Sequence, residues 1–315
     1  MRLRIFLPLV FSRVSDLTVA MAALPRGRVC VVTGANKGIG YHIAEQLRDS
    51  GHFGSIVLGC RSEALGREAA QKLGPPCEFV VPLDLSDAAS IASFAAALEK
   101  TMSKLDGLVN NAGIAFKGSD PAPFAAQTAP TLAVNYWGTV ALTEALLPLL
   151  RQPTAEDPFV VTVASMAGAL RQIQSADLRA QFSAADLDRP TLDGLVRKFE
   201  TDVASGNHAS EGWGNSNYGF SKLAMIAYTK LLAAEETKRH TSGGEGAPHK
   251  VLVNCCCPGY CDTDMTSHKG SRAAADGARN AVMLALQRNT EGGGAGRGGL
   301  LLHGEFLRDY EVAQW

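Results

Sequence analysis

From Arg28 onward, apolar runs of strand length alternate with longer stretches whose apolar positions recur every three to four residues. Val29–Thr33 is a β-branched run that ends in a glycine-rich turn, and the amphipathic stretch Ile39–Ser50 follows. The same alternation predicts strands at Ser55–Cys60, Glu78–Pro82, Gly107–Asn110, Phe159–Ala164 and Lys250–Cys256. It predicts helices at Glu63–Leu73, Ala88–Lys104, Thr131–Leu150, Tyr218–Glu236 and Ala273–Leu286. A last apolar run, Leu300–Phe306, follows the glycine-rich stretch Gly292–Gly299. Nearly continuous apolar strands alternating with helices imply a parallel sheet of about seven strands covered on both faces. The expected fold class is therefore α/β: a single doubly wound Rossmann-type domain over residues 21–315, binding its ligand beyond the carboxyl ends of the strands. One polar, helix-prone segment, Gly168–Asn217, breaks the rhythm and reads as a helical insertion.

Composition narrows the class. The chain has 46% hydrophobic and 19% charged residues and a net charge of -1, with both signs interspersed, so no basic stripe marks a nucleic-acid or anionic-membrane surface. The 7 cysteines include the run Cys255-Cys256-Cys257, whose side chains must alternate between sheet faces, a poor framework for disulfides. No CxxC or HxxxH spacing occurs, so no metal is expected and the cysteines are expected reduced. Residues 1–20 carry Arg2, Arg4 and Arg13 around a short apolar run broken by Pro8, far below the ~20 residues of a spanning helix. They read either as a targeting segment or as an extension before a start at Met21. A cytoplasmic location is expected, with organellar targeting as the alternative.

Three features carry chemistry. Thr33-Gly34-Ala35-Asn36-Lys37-Gly38-Ile39-Gly40 sits between a strand and a helix, where glycines let the backbone approach a pyrophosphate at the helix N-terminus. Tyr218 and Lys222 are four apart, hence on one helix face, so the ammonium is expected to lower the phenol pKa from its usual ~10. Such a phenol exchanges a proton with a carbonyl or alcohol oxygen. Ser165, just past a strand, is placed to hydrogen-bond the same oxygen or to cap the following turn. Glycine-rich turns and surface YxxxK pairs also occur for purely steric reasons; their order along the chain gives them weight.

The ordered set resembles the short-chain dehydrogenase/reductase superfamily. Beside the GxxxGxG turn stand Asn110-Asn111-Ala112-Gly113, Asn135 in VNYWGT, Ser165 in VTVASMAG, Tyr218-Gly-Phe-Ser-Lys222 and Pro258-Gly259. The resemblance implies a catalytic set Asn135, Ser165, Tyr218 and Lys222, with Asn135 holding a water in a proton relay through Lys222. It implies a dinucleotide held by Gly34, Asn36, Lys37, Gly38, Ile39, Gly40, Arg61, Asp84, Leu85, Asn111, Ala112, Gly113, Tyr218, Lys222, Pro258, Gly259, Thr263, Asp264 and Met265. NAD-specific relatives carry an acid after the second strand; here Gly59-Cys60-Arg61 stands, and Arg61 with Lys37 suits the 2′-phosphate of NADP(H). Asp84 would accept from the adenine amine; capping the helix from Ala88 is its other reading.

Within the superfamily the chain resembles the monomeric NADPH-dependent carbonyl reductases, through NNAGIAFKGSDPAPF, CCPGY, TDM, the closing EVAQW and the long interval between Ser165 and Tyr218. That implies a monomer acting on small carbonyl substrates (quinones, aldehydes, ketones), bound by Ile114, Ala115, Phe116, Gln127, Ser165, Met166, Tyr218, Tyr260 and Met265. Tyr260 stands where the subgroup usually has tryptophan. Cys257 aligns with a thiol near the pocket that reacts with modifiers, or is simply a buried strand end. Some members recognise glutathione adducts around the positions of Phe116 and Gln127. Two other roles stay open: a dedicated biosynthetic ketone reductase, and a dinucleotide sensor without turnover.

Overall fold

A computed structural model describes residues 27–77, 79–243, 250–287 and 301–315. The N-terminal segment, the glycine-rich stretch at 292–299 and Glu78 lie outside the described residues. The core is one sheet of strands β1 (Arg28–Thr33), β2 (Phe53–Cys60), β3 (Phe79–Pro82), β4 (Gly107–Asn110), β5 (Phe159–Val163), β6 (Leu252–Cys257), β7 (Phe306–Arg308) and β8 (Glu311–Val312). Their order is β3-β2-β1-β4-β5-β6-β7-β8. The expected sheet is present, with an antiparallel eighth strand at its edge, where β8 pairs with β7. The last apolar run enters the sheet only at Phe306; residues 301–305 run along β6 instead, with Gly304 donating to the Val253 carbonyl at 2.7 Å.

Helices α1 (Gly38–Asp49), α2 (Glu63–Leu73) and α9 (Ala274–Ala285) pack one face. Helices α3 (Ala88–Thr101), α4 (Phe124–Leu132), α5 (Thr139–Leu150) and α8 (Asn217–Ser242) pack the other. Cys256 belongs to the first core, while Cys255 and Cys257 face the opposite side, as the strand period requires. All 7 cysteines are free and buried. The insertion forms α6 (Ala176–Phe182) and α7 (Arg189–Ala204), both joined to the α8 side of the core.

The helix expected over Thr131–Leu150 is interrupted. Residues Ala133–Gly138 form a π-helical turn between α4 and α5, a local widening of the helix. Gly138 closes it, and there the chain touches a neighbour's backbone: a Cβ on Gly138 would lie 1.8 Å from the Leu85 carbonyl oxygen.

Gly138→Ala is expected to destabilise the protein by roughly 3 kcal/mol, because backbone rather than a side-chain end must move. Gly194, inside α7 with nothing within 4 Å of its would-be Cβ, is the control: Gly194→Ala is expected to stabilise by about 0.5–1 kcal/mol. Urea unfolding of both variants checks the pair; equal midpoints would contradict the reading of Gly138.

Candidate active site

The glycine turn lies where β1 and β4 diverge, the switch point at which such sheets bind ligands. Thr33 ends β1, and its hydroxyl accepts the N–H groups of Asn111 and Ala112, both at 3.0 Å. The Asn111 carboxamide donates back to the Thr33 carbonyl at 2.9 Å. These bonds fix the Asn111-Ala112-Gly113 strand end against the turn. Gly34 and Gly38 hold φ of +66 and +57, open to glycine at little cost. A Cβ on Gly40 would come within 2.4 Å of both the Gly34 carbonyl and the Asn111 carboxamide. Helix α1 starts here with no side-chain cap and no acid in its first turn, so its orphan N–H groups are available to an anion.

The surroundings match expectation unevenly. Ile39 faces α9, where a Cβ on Gly277 would sit 3.5 Å from it, and Asn36 lies half-buried in the turn. Thr263 stands against the turn, 3.5 Å from a would-be Cβ on Gly38. Arg61 is exposed after β2, whereas the Lys37 ammonium pairs with Asp264 across the cleft. Asp84 does not cap α3: its carboxylate accepts from the Ser86 N–H at 2.9 Å and hydroxyl at 2.6 Å, and Asp87 is the cap. Leu85 is buried beside the π-helical turn. Pro258-Gly259 follows β6, with the Gly259 N–H donating to Cys257 Sγ at 3.4 Å.

The reactive groups meet at the ends of β5 and β4. Helix α8 is capped by Ser216, whose hydroxyl accepts from the Gly219 N–H at 2.8 Å. One turn carries Tyr218 and Lys222. Lys222 is 6% exposed and donates to the Val163 carbonyl, the last of β5, at 2.8 Å. Its Nζ lies 5.7 Å from the Tyr218 ring centroid. Ser165 caps the turn after β5, accepting from the Ala167 N–H at 3.1 Å, and its hydroxyl faces the Tyr218 phenol, whose pKa it lowers. The capping reading of Ser165 is thus realised. Asn135, in the π-helical turn, grips Ile114 from both sides, accepting its N–H and donating to its carbonyl at 2.8 Å each, and donates to Ser221 at 3.0 Å. Both of its amide N–H groups are thus taken by protein, while Oδ1 keeps a second lone pair.

The expected pKa direction of the phenol is reversed. Burial pushes Tyr218 up to about 12, against the smaller lowering effect of the Ser165 bond. The ammonium points its N–H at Val163, not at the phenol oxygen, and burial lowers Lys222 from 10.5 to about 8. At neutral pH the pair is a protonated phenol beside a protonated lysine.

Phe116, Gln127 and Tyr218 line one cavity of about 160 Å³, together with Phe124, Thr131 and Asn215, Ser216 and Asn217. Tyr260 and Met265 do not line it; they stand 56% and 41% exposed. Ala115 is half-buried beside Ile114, and Met166 packs on the small core of Cys257, Phe306 and Trp315. The Trp315 indole donates to the Gly168 carbonyl at 3.0 Å, tying the closing EVAQW to the Ser165 turn. Sequence reading missed Thr33, Ser221 and the Val163 carbonyl. The polar end of an apolar strand and a buried serine one turn from Tyr218 were the available signals for the first two.

A parallel sheet with a glycine turn at its switch point and a Ser-Tyr-Lys cluster at the ends of neighbouring strands defines a dinucleotide-dependent oxidoreductase architecture. The pattern of the family described as short chain dehydrogenase matches residues 28–178 and 202–274, and the chain belongs to that family. Among its relatives, "Carbonyl reductase [NADPH] 1" of Mus musculus is 37% identical over 294 residues, covering 91% of this chain and 98% of that one. "Carbonyl reductase [NADPH] 3" of the same species is 37% identical over 296 residues, with the same coverage. Among solved structures, salutaridine reductase from Papaver somniferum superposes with a TM-score of 0.71 at 29% identity, covering 82% of this chain and 95% of that one.

Lys222 supplies a testable sign. Between about 8 and 10.5 the folded state binds fewer protons than the unfolded state, so this group makes stability rise with pH across that window. The stability of the wild type relative to Lys222→Met is expected to increase by up to about 3 kcal/mol from pH 7 to 10.5. Urea unfolding at successive pH values reads it; a flat difference would mean that the ammonium is not desolvated.

Proposed function

We propose that this chain reduces small quinones, aldehydes and ketones to alcohols with NADPH, Tyr218 supplying the proton. Family membership and the carbonyl reductase relatives support an NADPH-dependent oxidoreductase acting on carbonyl compounds. The observation that carries the assignment to Tyr218 is its phenol at the wall of a cavity, beside Ser165 and the Lys222 ammonium.

The residues present fit the dinucleotide. The uncapped start of α1 and the close backbone approach at Gly34, Gly38 and Gly40 form a cradle for a pyrophosphate. In this reading Lys37 exchanges Asp264 for the 2′-phosphate, and Arg61 pairs with it bidentately. Asn36, Ile39, Asp84, Leu85, Asn111, Ala112 and Gly113 line the adenosine side. Pro258, Gly259, Thr263, Asp264 and Met265 form the opposite wall, with Tyr218 and Lys222 at the reactive end. When bound, NADPH supplies the hydride.

The chain's own groups then govern the proton. Ser165 donates a hydrogen bond to the substrate oxygen and so stabilises the developing alkoxide. Tyr218, held up at about 12, is fully protonated at neutral pH, the form a donor needs. An alkoxide is a stronger base than a phenolate, so transfer from Tyr218 is downhill. Oxidation would need the phenolate, which the buried site disfavours, and reduction is the direction this site supports. Lys222, charged below about 8, stabilises the phenolate left behind. Asn135 fixes the backbone of Ile114 and the helix at Ser221, and a water between Asn135 and Lys222 completes the relay in this proposal.

Helix α7 covers the π-helical turn through Asp193 to Tyr136 (2.8 Å) and Glu200 to Trp137 (3.4 Å), which supports a monomer. No helix among the described residues is long and apolar enough to cross a membrane; a cytoplasmic location belongs to the same proposal. Phe116 and Gln127 at one cavity wall leave room for the glutathione-adduct reading. The resemblance to salutaridine reductase and, at TM-score 0.68 and 27% identity, to menthone neomenthol reductase from Mentha piperita favours the second reading, a dedicated biosynthetic ketone reductase. A substrate panel separates the two: one ketone preferred by orders of magnitude selects the second.

Tyr218→Phe is expected to lower kcat for menadione reduction by roughly 10²–10⁴-fold while NADPH binding, read by nucleotide fluorescence, stays unchanged. Near-normal turnover in the variant would end the assignment of Tyr218.

A further inference from the structure

The wall of the Tyr218 cavity formed by the end of the insertion is polar, and one of its residues leaves both amide N–H groups without a protein partner among the described residues. Asn217 commits its carboxamide, donating to the Phe124 carbonyl at 2.8 Å and accepting from Thr128 at 2.8 Å. Thr131 donates to the Gln127 carbonyl, and Gln127 donates to the Ala122 carbonyl, both at 2.7 Å. The Ser216 hydroxyl is the cap of α8. Asn215 differs: its Oδ1 lies 3.0 Å from His208 Nε2, and its amide N–H groups have no protein partner among the described residues.

The histidine fixes the direction of that carboxamide. The ring of His208 stacks on Phe124, with centroids 5.0 Å apart and planes at 29°. Its Nδ1 is buried without a partner. A hydrogen on Nδ1 would be a stranded buried donor, so the neutral ring carries its hydrogen on Nε2 and donates to Asn215 Oδ1. Asn215, a solvent-exposed residue, is thereby held with its N–H side free of protein partners where it lines the cavity.

We propose that Asn215 is a specificity-determining residue and His208 its positioning residue: the carboxamide donates a hydrogen bond to a second acceptor oxygen of the substrate, remote from the carbonyl that Tyr218 protonates. The proposal rests on the reading of Tyr218 given above. The class selected is an aromatic carbonyl compound bearing an ester, amide or further carbonyl group. A hydrocarbon group at the same place would take water from the N–H groups and return nothing.

The test compares NADPH-dependent reduction of methyl 4-formylbenzoate with that of 4-ethylbenzaldehyde. Asn215→Ala is expected to raise KM for the ester about five- to tenfold, the worth of one neutral hydrogen bond, with kcat little changed and the ethyl compound unaffected. His208→Leu is expected to reproduce part of this loss, and His208→Gln, which keeps an N–H donor, to restore it. Asn215→Ala acting on both aldehydes alike, or on neither, would overturn the proposal. Turnover of neither aldehyde by the wild type would instead remove the Tyr218 reading and this inference with it.

Discussion

At the end of β5 the ammonium of Lys222 is out of solvent, with the Val163 carbonyl as its acceptor at 2.8 Å. An ammonium in such a place must be compensated by hydrogen bonds or give up its proton, and the lowering to about 8 is that tension expressed as acidity. Much of the local architecture serves this group. A strand has to stop at Val163 so that a main-chain carbonyl is left free, and α8 has to dock closely enough for Nζ to reach it. Gly168 allows that docking, since a Cβ there would lie 2.7 Å from the Leu223 N–H. Gly113 leaves room on the other side, where a Cβ would stand 3.6 Å from Nζ and 3.1 Å from Asn135 Oδ1. Four separate stretches of chain therefore converge on one charge.

That charge does not make Tyr218 a strong acid, and the reason is geometric. Loss of solvation of the phenolate raises the phenol, and it outweighs the lowering by Ser165, the one group that opposes it. The site stores protons on both groups at neutral pH. A donor that stays loaded suits delivery to an alkoxide, which needs no help to accept. In the proposed reduction the loaded state of the donor follows from burial rather than from a tuned pKa near 7.

Strand and helix alternation was legible because both faces of the sheet are covered, which leaves apolar strands nearly continuous. The glycine turn, Tyr218, Lys222 and Ser165 were legible because each sits at a strand end or on one helix turn, where spacing decides position. Other features are tertiary. Interior widening at Ala133–Gly138 has no specific local signal: the segment reads Ala-Val-Asn-Tyr-Trp-Gly, and weak helix formers alone do not distinguish a π turn from an α turn. Lys37 meets an acid 227 positions away, and no spacing rule connects them. Tyr260 and Met265 were placed at the substrate by analogy, but the loop after β6 leaves both open to solvent. The antiparallel edge is set by the reversal at Asp309 and Tyr310, with φ of 50 and 68, a conformation that favours glycine but is adopted here by two residues that are not glycine.

In the proposed reading, chemistry and selectivity are carried by separate parts of this chain. Ser165 stands just past β5, and Tyr218 and Lys222 stand on α8, positions that the sheet fixes. Asn215 and His208 stand on the closing segment of the insertion, which needs an anchor of its own. Trp213 supplies it: buried among Phe182, Phe199 and Phe220, with its indole donating to Asp202 at 2.7 Å, it pins the segment two residues before Asn215. Phe220 lies two residues after Tyr218 on α8, so one aromatic cluster holds both the cavity's polar wall and the start of the reactive helix. A residue so anchored keeps its carboxamide aimed without strain from the sheet, and the wall can change by substitution at Asn215 while Tyr218, Ser165 and Lys222 remain where the strands put them.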